Sequence, residues 1–340
     1  MNRKLSRRTA LLSAAGATAA TAATARTATA RPAPPLGPPT AHGRLYEIGV
    51  GRNRAVIAGV AATLLSWTVD GEEMLLTHSP DEVGEGYRGK TILPWPNRIG
   101  QGAYDFEGQE LQVPINEPDR EAALHGLMSF VEWQPVRRTP GSVVLSYVLP
   151  PTYGYPFHLS FEIEFAVDDR GVRSTLTATN IGPTAAPFGT ANHAYLAAGP
   201  TGKIDDIVLT IPADTYYVVD DRLIPTGTAP VAGTEYDFRT ARRLGTTRMD
   251  TAFTGLAHSG GEAVVRFERP DVAVELWVDE THAYLQCYTD DSPEADRPGR
   301  QGITVEPMTC APNAFVTGDG TIVLSPGQSR TGSYGWRIAE

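Results

Sequence analysis

The chain of 340 residues has only two cysteines, Cys287 and Cys310, and the sequence contains no Cys-x-x-Cys pair and no clustered set of His and Cys. A structural zinc site needs about four such ligands at short spacing, so the sequence argues against one. A disulfide is one interpretation, because both residues lie near expected strand ends in a chain expected to reach oxidising surroundings. Two buried free thiols are at least as good an interpretation, since sequence does not show whether two Cβ vectors converge.

Long apolar stretches are also missing. The apolar segment near the N-terminus is short and rich in Ala and Thr, which argues against a permanent transmembrane helix. It follows a paired-arginine motif at residues 6–12, and small residues at 28–30 offer a cleavage site. This order is typical of a twin-arginine export signal. We therefore expect residues 1–30 to be removed and the mature protein to be exported, extracellular or in the cell envelope, without stable membrane insertion. The Pro-rich residues 31–42 are predicted to be a linker.

Positive charge is scarce. The chain has 29 Lys and Arg against 39 Asp and Glu, which gives a formal net charge of −10. Residues 1–30 carry five basic and no acidic residues, so their removal takes the charge from −10 to −10 − 5 = −15. A surface this acidic argues against nucleic acid and anionic membranes as partners.

Sustained helical periodicity is absent, and the best helical candidate is a brief turn near Thr240–Leu244. Apolar and polar residues instead alternate along several runs, which is typical of half-buried strands. The turn at residues 168–171, between two such runs, predicts a β-hairpin. No repeat or second linker divides the rest of the chain. We therefore predict one all-β domain over residues 43–340, a large antiparallel β-sandwich with its site in a concave sheet face or between long loops.

Glu306 is the first candidate for chemistry. It follows the apolar run Ile303-Thr304-Val305 and precedes a turn with two prolines, Pro307 and Pro312. This pattern predicts a buried strand whose last side chain reaches a rim. A carboxylate is costly to bury without partners, and general bases are often found in such positions. A structural Glu that accepts hydrogen bonds from neighbouring backbone N–H groups is the other interpretation.

Four further segments place polar residues among apolar residues and turns. Two prolines in Leu93-Pro94-Trp95-Pro96-Asn97 fix the direction of Arg98, whose guanidinium can donate to hydroxyl or carboxylate oxygens. The other three segments centre on His125, on His193 after an expected strand at Ala186–Thr190, and on Asp250. Each residue taken alone is more often structural than functional.

Taken in order, these segments resemble the aldose 1-epimerase (galactose mutarotase) family. The family pattern runs Pro-x-x-Asn-Arg, His-Gly, Asn-His-x-Tyr, Asp-x-x-Phe and Glu-Pro. The matching residues are Pro94, Asn97 and Arg98; His125 and Gly126; Asn192, His193 and Tyr195; Asp250 and Phe253; Glu306 and Pro307. The resemblance extends from about Leu45 to Ile338. Ala194 and Leu196 depart from residues that many members have, which puts substrate preference in doubt more than chemistry.

The resemblance implies a galactose mutarotase-like supersandwich and the interconversion of the anomers of a free aldohexose, such as galactose or glucose. It implies Glu306 as the base and His193 as the acid, with Arg98, His125 and Asp250 holding sugar hydroxyls. Asn97 is a weaker candidate for that task, and Gln286 is weaker still. No cofactor or metal is implied. Two interpretations of Trp95 are equally good: its ring presents an apolar face to the sugar, or it packs in the core.

Three other functions remain open at this stage. A hexose-phosphate 1-epimerase could use Tyr87-Arg88-Gly89-Lys90 as a phosphate clamp, but the acidic charge and the export signal argue against it. A non-catalytic carbohydrate-binding protein on the same fold would not need both His193 and Glu306. A glycoside hydrolase or lyase with a mutarotase-like domain is usually longer, and no paired-carboxylate motif of a glycosidase stands out. The sequence does not indicate the preferred aldose or the oligomeric state.

Overall fold

The structure is a computed structural model that describes residues 36–84, 86–292 and 298–340. The predicted export signal at residues 1–30 lies outside the described residues. From Pro32 onward the chain forms one compact unit. No helix in the described part of the chain is long and apolar enough to cross a membrane.

Strands dominate the described chain. In chain order, the first fourteen strands are β1 Leu36–Thr40, β2 Gly43–Val50, β3 Asn53–Ala58, β4 Thr63–Val69, β5 Glu72–Glu73, β6 Thr91–Ile92, β7 Arg98–Gly100, β8 Ala103–Phe106, β9 Gln109–Gln112, β10 Ala122–Leu124, β11 Gln134–Thr139, β12 Ser142–Leu149, β13 Leu159–Val167 and β14 Gly171–Asn180. The remaining strands are β15 Ala186–Phe188, β16 Ala191–Asn192, β17 Tyr195–Ala197, β18 Val208–Thr210, β19 Ala213–Val219, β20 Pro225–Pro230, β21 Arg242–Arg243, β22 Asp250–Leu256, β23 Glu262–Glu268, β24 Ala273–Asp279, β25 Tyr284–Tyr288, β26 Gly302–Met308, β27 Ile322–Leu324 and β28 Ser329–Ile338.

Within the described ranges, helical structure is limited to short turns. The helical elements are one α-helix, α1 Ala314–Thr317, and three 3-10 helices, Pro118–Arg120, Gly199–Thr201 and Ile204–Asp206. The predicted helical turn near Thr240–Leu244 is wrong, because Arg242–Arg243 in that segment is a short edge strand paired with β18. The prediction of an all-β fold is confirmed.

Three sheets carry most of the fold. The largest has nine strands in the order β11-β12-β13-β14-β28-β24-β23-β18-β21. The second runs β20-β19-β22-β25-β26-β16-β6, with β17 also paired to β26. The third joins β1 to β5 in sequence order. Apolar side chains from all three sheets meet in one core.

The nine-stranded sheet is amphipathic. On β13, the side chains of Leu159, Phe161, Ile163, Phe165 and Val167 are buried, whereas their neighbours in the strand are partly or fully exposed. Successive side chains of a strand point to opposite faces, so this alternation turns one face of the sheet toward the core. β13 and β14 are antiparallel with Val167 opposite Val172, which confirms the predicted hairpin.

The eight-stranded sheet differs, since its central strands are buried on both faces. Every residue of β26 is buried. Ile303 and Val305 join the main core, whereas Met308 joins a smaller cluster that includes Ala252 and Ala191. The faces that carry Glu306 and Met308 therefore lie away from the main core, and this sheet face positions the candidate site.

One expectation about the edge of the domain needs correction. The predicted linker at residues 31–42 contains a strand, since β1 pairs antiparallel with β2 and Thr40 lies opposite Gly43. β1 is an edge strand, which is where a sheet tolerates prolines such as Pro38 and Pro39.

The two cysteines are free thiols and both are buried. Burial raises the pKa of each thiol, and the charges of Glu306 on Cys287 and of Asp319 on Cys310 add to this effect, so both thiols stay protonated at neutral pH.

Candidate active site

Three neighbouring strands of the eight-stranded sheet present a row of polar side chains. Gln286 on β25 lies opposite Glu306 on β26 and opposite Ala252 on β22. Asp250 is two residues from Ala252, so period-two alternation places its side chain on the same face. Gln286 and Asp250 are in direct contact, since Gln286 Nε2 donates a hydrogen bond of 2.6 Å to Asp250 Oδ1. Asp250, Gln286 and Glu306 therefore line one polar face away from the main core.

Glu306 is more deeply placed than its sequence suggests. The sequence predicts a strand-end side chain at a rim, but β26 continues for two residues beyond Glu306, and the residue is only 1% exposed. This expectation is therefore wrong, because Pro307 and Met308 remain in the extended chain, where Leu285 and Tyr284 are their partners on β25.

His193 follows β16 and is held by its backbone. Its N–H donates to the Lys90 carbonyl at 3.0 Å, and its carbonyl accepts from the Gly89 N–H at 3.0 Å. The Asn192 amide also donates to the Gly89 carbonyl, at 3.0 Å. The expected strand at Ala186–Thr190 is present only as Ala186–Phe188, and the short β16 follows it. These bonds hold the backbone from which the imidazole extends.

Arg98 and His125 come from a second, smaller pair of strands. Arg98 begins β7 and lies opposite Leu124 of β10, so His125 follows directly after the paired segment. The His125 N–H donates to the Asn97 carbonyl at 2.9 Å, and both residues adopt a left-handed backbone. Gly126 has a φ of +67°, and a Cβ there would lie 1.8 Å from the Leu93 oxygen, so only glycine fits.

Asn97, predicted to be a weaker sugar contact, has a local structural task. Its Oδ1 accepts a hydrogen bond of 2.9 Å from the Arg98 N–H. The residue is buried. Contact with a sugar stays a prediction for Asn97, whereas its effect on the backbone of Arg98 is visible in the structure.

Glu117 was missed by the sequence interpretation. Arg98 Nε donates to Glu117 Oε2 at 2.7 Å and Arg98 Nη2 donates to Glu117 Oε1 at 2.9 Å, which makes a bidentate pair. The two side chains are 8% and 20% exposed. Glu117 precedes the 3-10 helix at Pro118–Arg120, and its backbone pairs with Ala122. The motif order gives no signal for this residue, because the pair forms only once β10 returns beside β7.

The predicted acid and base meet at the centre of the site. His193 Nε2 lies 3.4 Å from Glu306 Oε1, and both side chains are almost fully buried. The His125 and His193 rings meet edge to face with centroids 5.0 Å apart. Tyr87 covers both histidines, with its ring centroid 4.7 Å from that of His125 and 6.1 Å from that of His193. The sequence suggested Tyr87 only as part of a phosphate clamp.

Burial sets the protonation of the pair. It raises the pKa of Glu306 well above its usual range, and the Asp250 charge adds to this effect while Arg98 opposes it. Burial also lowers the pKa of His193 to about 3. Burial lowers the pKa of His125 as well, and the neighbouring His193 and Arg98 add to this effect. A single proton on this pair of Glu306 and His193 therefore lies on Glu306 rather than on His193.

Buried polar atoms in this site are free to meet a ligand. Among the described residues, neither Glu306 Oε2 nor His125 Nδ1 has a hydrogen-bond partner, although both atoms are buried. Buried polar atoms without partners are rare in folded proteins and call for an explanation. A ligand rich in hydroxyl groups satisfies such atoms, because each hydroxyl both donates and accepts.

The same donors have the chemistry of metal ligands, since one atom each from His125, His193 and Glu306 lies within 4.8 Å of the others. The Arg98 guanidinium is close enough to lower the pKa of Glu306, and this positive charge opposes a divalent cation there.

Trp95 lies in the core. Its side chain is 2% exposed, its Nε1 donates to the Ala123 carbonyl at 3.2 Å, and its ring packs near Tyr155 and Phe315. Of the two interpretations of Trp95, the structure supports the core residue.

The family model described as Aldose 1-epimerase matches residues 44–336, almost the whole described chain. The chain belongs to the aldose 1-epimerase family. Within this family, the Escherichia coli (strain K12) protein named Uncharacterized protein YihR is 34% identical over 287 residues, which cover 84% of this chain and 90% of that protein. The human protein named Galactose mutarotase is 35% identical over 181 residues, which are 51% of each chain.

Solved structures agree on the fold. A GalM/aldose epimerase homologue from C. elegans has a TM-score of 0.77 at 20% identity, over 87% of this chain and 98% of that one. A galactose 1-epimerase from Lactobacillus acidophilus NCFM has a TM-score of 0.73 at 22% identity, over 87% and 96% of the two chains. The prediction of a galactose mutarotase-like fold is therefore confirmed.

Proposed function

We propose that this member of the aldose 1-epimerase family interconverts the α and β anomers of a free aldohexose such as galactose or glucose. The observation that carries the proposal is the buried pair of Glu306 Oε1 and His193 Nε2, 3.4 Å apart. Mutarotation needs a proton removed from the C1 hydroxyl and a proton delivered to the ring oxygen. These two oxygens share carbon C1, so an acid and a base only a few ångströms apart can reach both.

The reaction balances with the one proton that the pair holds. In the ring-opening direction, the Glu306 carboxylate takes the proton of the C1 hydroxyl, the bond between C1 and the ring oxygen breaks, and His193 protonates that oxygen. An open-chain aldehyde results, with Glu306 protonated and His193 neutral. Rotation about the C1–C2 bond presents the other carbonyl face. On closure, the hydroxyl returns its proton to His193 as it attacks C1, and Glu306 protonates the former carbonyl oxygen.

The protonation that burial favours is that of the open-chain intermediate. Protonated Glu306 and neutral His193 are the forms that exist once the ring has opened. The bound sugar supplies hydroxyl groups to the buried atoms of the site and stabilises the alternative arrangement, in which the carboxylate and the imidazolium are charged. We infer that both arrangements have similar free energies in the complex, which is what a reversible proton relay requires.

The remaining polar residues position the sugar. Arg98 is anchored by Glu117, and Asp250 is anchored by Gln286, so both offer hydrogen-bonding atoms from fixed positions. His125 Nδ1 is buried without a partner among the described residues and is free to bond a sugar hydroxyl. The Galactose mutarotase name of the human relative supports galactose as one substrate to test.

The export of the mature protein remains part of the proposal. A mutarotase outside the cytoplasm would meet free sugars rather than sugar phosphates, which is consistent with the strongly acidic charge of residues 31–340.

The test is polarimetry of freshly dissolved α-D-galactose, α-D-glucose and other aldoses, with the mature protein and with buffer alone. We expect a faster approach to the equilibrium rotation for at least one aldose. Glu306→Gln and His193→Ala should each abolish most of the acceleration, by about 100-fold to 10,000-fold, the usual contribution of a positioned acid or base. Asp250→Ala should act mainly by raising KM. No acceleration for any aldose would refute the activity.

A further inference from the structure

The ring of Phe130 is unusual because it is exposed and yet firmly supported. Its relative exposure is 68%, on the turn that follows His125. The Lys90 ammonium lies 4.0 Å from the centroid of the Phe130 ring. Lys90 itself is 2% exposed, and its Nζ donates a hydrogen bond of 2.7 Å to the Ser129 carbonyl. One face of the ring therefore rests on a buried cation, and most of the rest of the ring is open to solvent.

The turn that carries Phe130 is joined to the active site by hydrogen bonds. Ser129 Oγ donates to the His125 carbonyl at 3.2 Å, and the Val131 N–H donates to the Met128 carbonyl at 3.4 Å. The carbonyl of Lys90 accepts the hydrogen bond from the His193 N–H. Phe130 thus has a position fixed relative to the acid and base, which scattered exposed apolar residues do not have.

Two aromatic rings, those of Tyr87 and Phe130, link the buried His193 to the solvent-exposed surface. The Tyr87 ring centroid lies 6.1 Å from that of His193, and the Phe130 ring centroid lies 6.4 Å from that of Tyr87. Each step is comparable with the length of one pyranose ring. The Tyr87 ring therefore lies near the rings of both active-site histidines and of Phe130, and exposure rises from the buried histidines through the partly buried Tyr87 to Phe130.

We propose that Phe130 is the platform of a second sugar subsite, which takes the neighbouring sugar residue of an oligosaccharide whose reducing-end aldose occupies the active site. The inference rests on the proposed mutarotase function. Its physical basis is that the C–H groups on one face of a pyranose pack well on an aromatic ring, while the hydroxyl groups at the edge stay in water. A supported ring pays little ordering cost when such a sugar binds.

The test compares disaccharides with their monosaccharide. Mutarotation rates would be measured for glucose and for maltose, cellobiose, lactose and melibiose, whose reducing-end sugars are free to interconvert. We expect the wild-type protein to accelerate at least one disaccharide with a lower KM than that for the monosaccharide. Phe130→Ala should raise the KM for that disaccharide by about threefold to tenfold, as expected for one aromatic contact. The KM for glucose should change by less than about twofold.

Two further variants separate the ring from other effects. Phe130→Tyr keeps the aromatic face and should keep the low KM for the disaccharide, whereas Phe130→Leu is apolar without such a face and should behave like Phe130→Ala. Tyr153→Ala removes a ring that is 91% exposed on another segment of the chain, and it should leave the KM for glucose and the KM for the disaccharide unchanged. An equal rise in KM for glucose and the disaccharide would overturn the subsite, and so would a disaccharide KM that is unchanged in Phe130→Ala. Failure of the function itself would show separately, as no acceleration of any monosaccharide by the wild-type protein.

Discussion

The pair of Arg98 and Glu117 gives a quantitative prediction, because the sequence did not indicate Glu117. Its carboxylate binds the guanidinium through two hydrogen bonds, of 2.7 and 2.9 Å, with both side chains largely shielded from water. Glu117→Gln keeps the shape, removes the charge and leaves one acceptor oxygen where there were two. The guanidinium then loses its fixed direction toward the sugar.

The expected magnitude follows from the type of bond. Hydrogen bonds to charged groups contribute about 1.5–3 kcal/mol each, and about one such contribution is lost here. If that loss falls on sugar binding, KM for the preferred aldose should rise by about 10-fold to 100-fold. The kcat should change by less than about threefold, because Glu117 does not contact the acid or the base.

The assay is the concentration dependence of mutarotation, followed by polarimetry, with circular dichroism to confirm that the variant is folded. The matched control is Asp206→Asn, which removes a carboxylate from a pair with Arg243 of similar length, 2.7 Å, but in exposed positions. Exposed pairs contribute little, so this variant should have an unchanged KM. A Glu117→Gln protein with normal KM, or with a loss confined to kcat, would refute the positioning role.

Three other predictions concern the backbone and the pH dependence. Gly126→Ala places a Cβ 1.8 Å from the Leu93 oxygen, so urea unfolding should show a loss of at least about 2 kcal/mol, whereas Gly327→Ala, with a similar φ and open space, should lose only about 1 kcal/mol. Burial holds the pKa of His125 below the unfolded value of 6.5, so its contribution to stability is present above that pH and is lost as the pH falls through it. His125→Gln should therefore flatten the stability curve by about 1 kcal/mol between about pH 6.5 and pH 5.5, and parallel curves would contradict this. Finally, the pair of Glu306 and His193 takes up a second proton, on His193, only near the lowered His193 pKa of about 3. It loses its last proton, from Glu306, only near the raised Glu306 pKa. The kcat/KM should therefore stay nearly constant below pH 6.5 and fall on the alkaline side, and a fall centred on pH 6.5 during acidification would contradict the one-proton pair.

The fold could be predicted largely because its signal is local. Alternation on β13 and the turn at residues 168–171 define a hairpin within about twenty residues of the chain. Short elements were less predictable. Arg242–Arg243 is a strand only because β18 pairs with it, and residues 36–40 are a strand only because β2 pairs with them. The pairing of β21 depends on a partner distant in the sequence, whereas β1 pairs with the next strand and was missed because a Pro-rich stretch alone indicates a linker.

The site was predictable where a residue belongs to a motif and less so where long-range contacts decide. The structure brings Glu306, His193, His125, Arg98 and Asp250 together, in agreement with the order of the motifs. The depth of Glu306 was not predictable, because β26 continues through Pro307 while β25 covers it. Glu117 and Tyr87 also needed the fold, since they lie near the site through the return of β10 and the loop before Lys90. The roles of these residues in catalysis remain predictions.

The most direct test of the central claim is exchange NMR on an equilibrated solution of galactose or the preferred aldose. Cross-peaks between the α and β H1 signals report the interconversion itself, and their build-up gives its rate. With wild-type protein we expect strong cross-peaks at mixing times where buffer alone gives none, and Glu306→Gln should reduce the rate by at least about 100-fold. Undiminished exchange in Glu306→Gln, with His193 unchanged, would contradict the account of Glu306 and His193 as the base and acid.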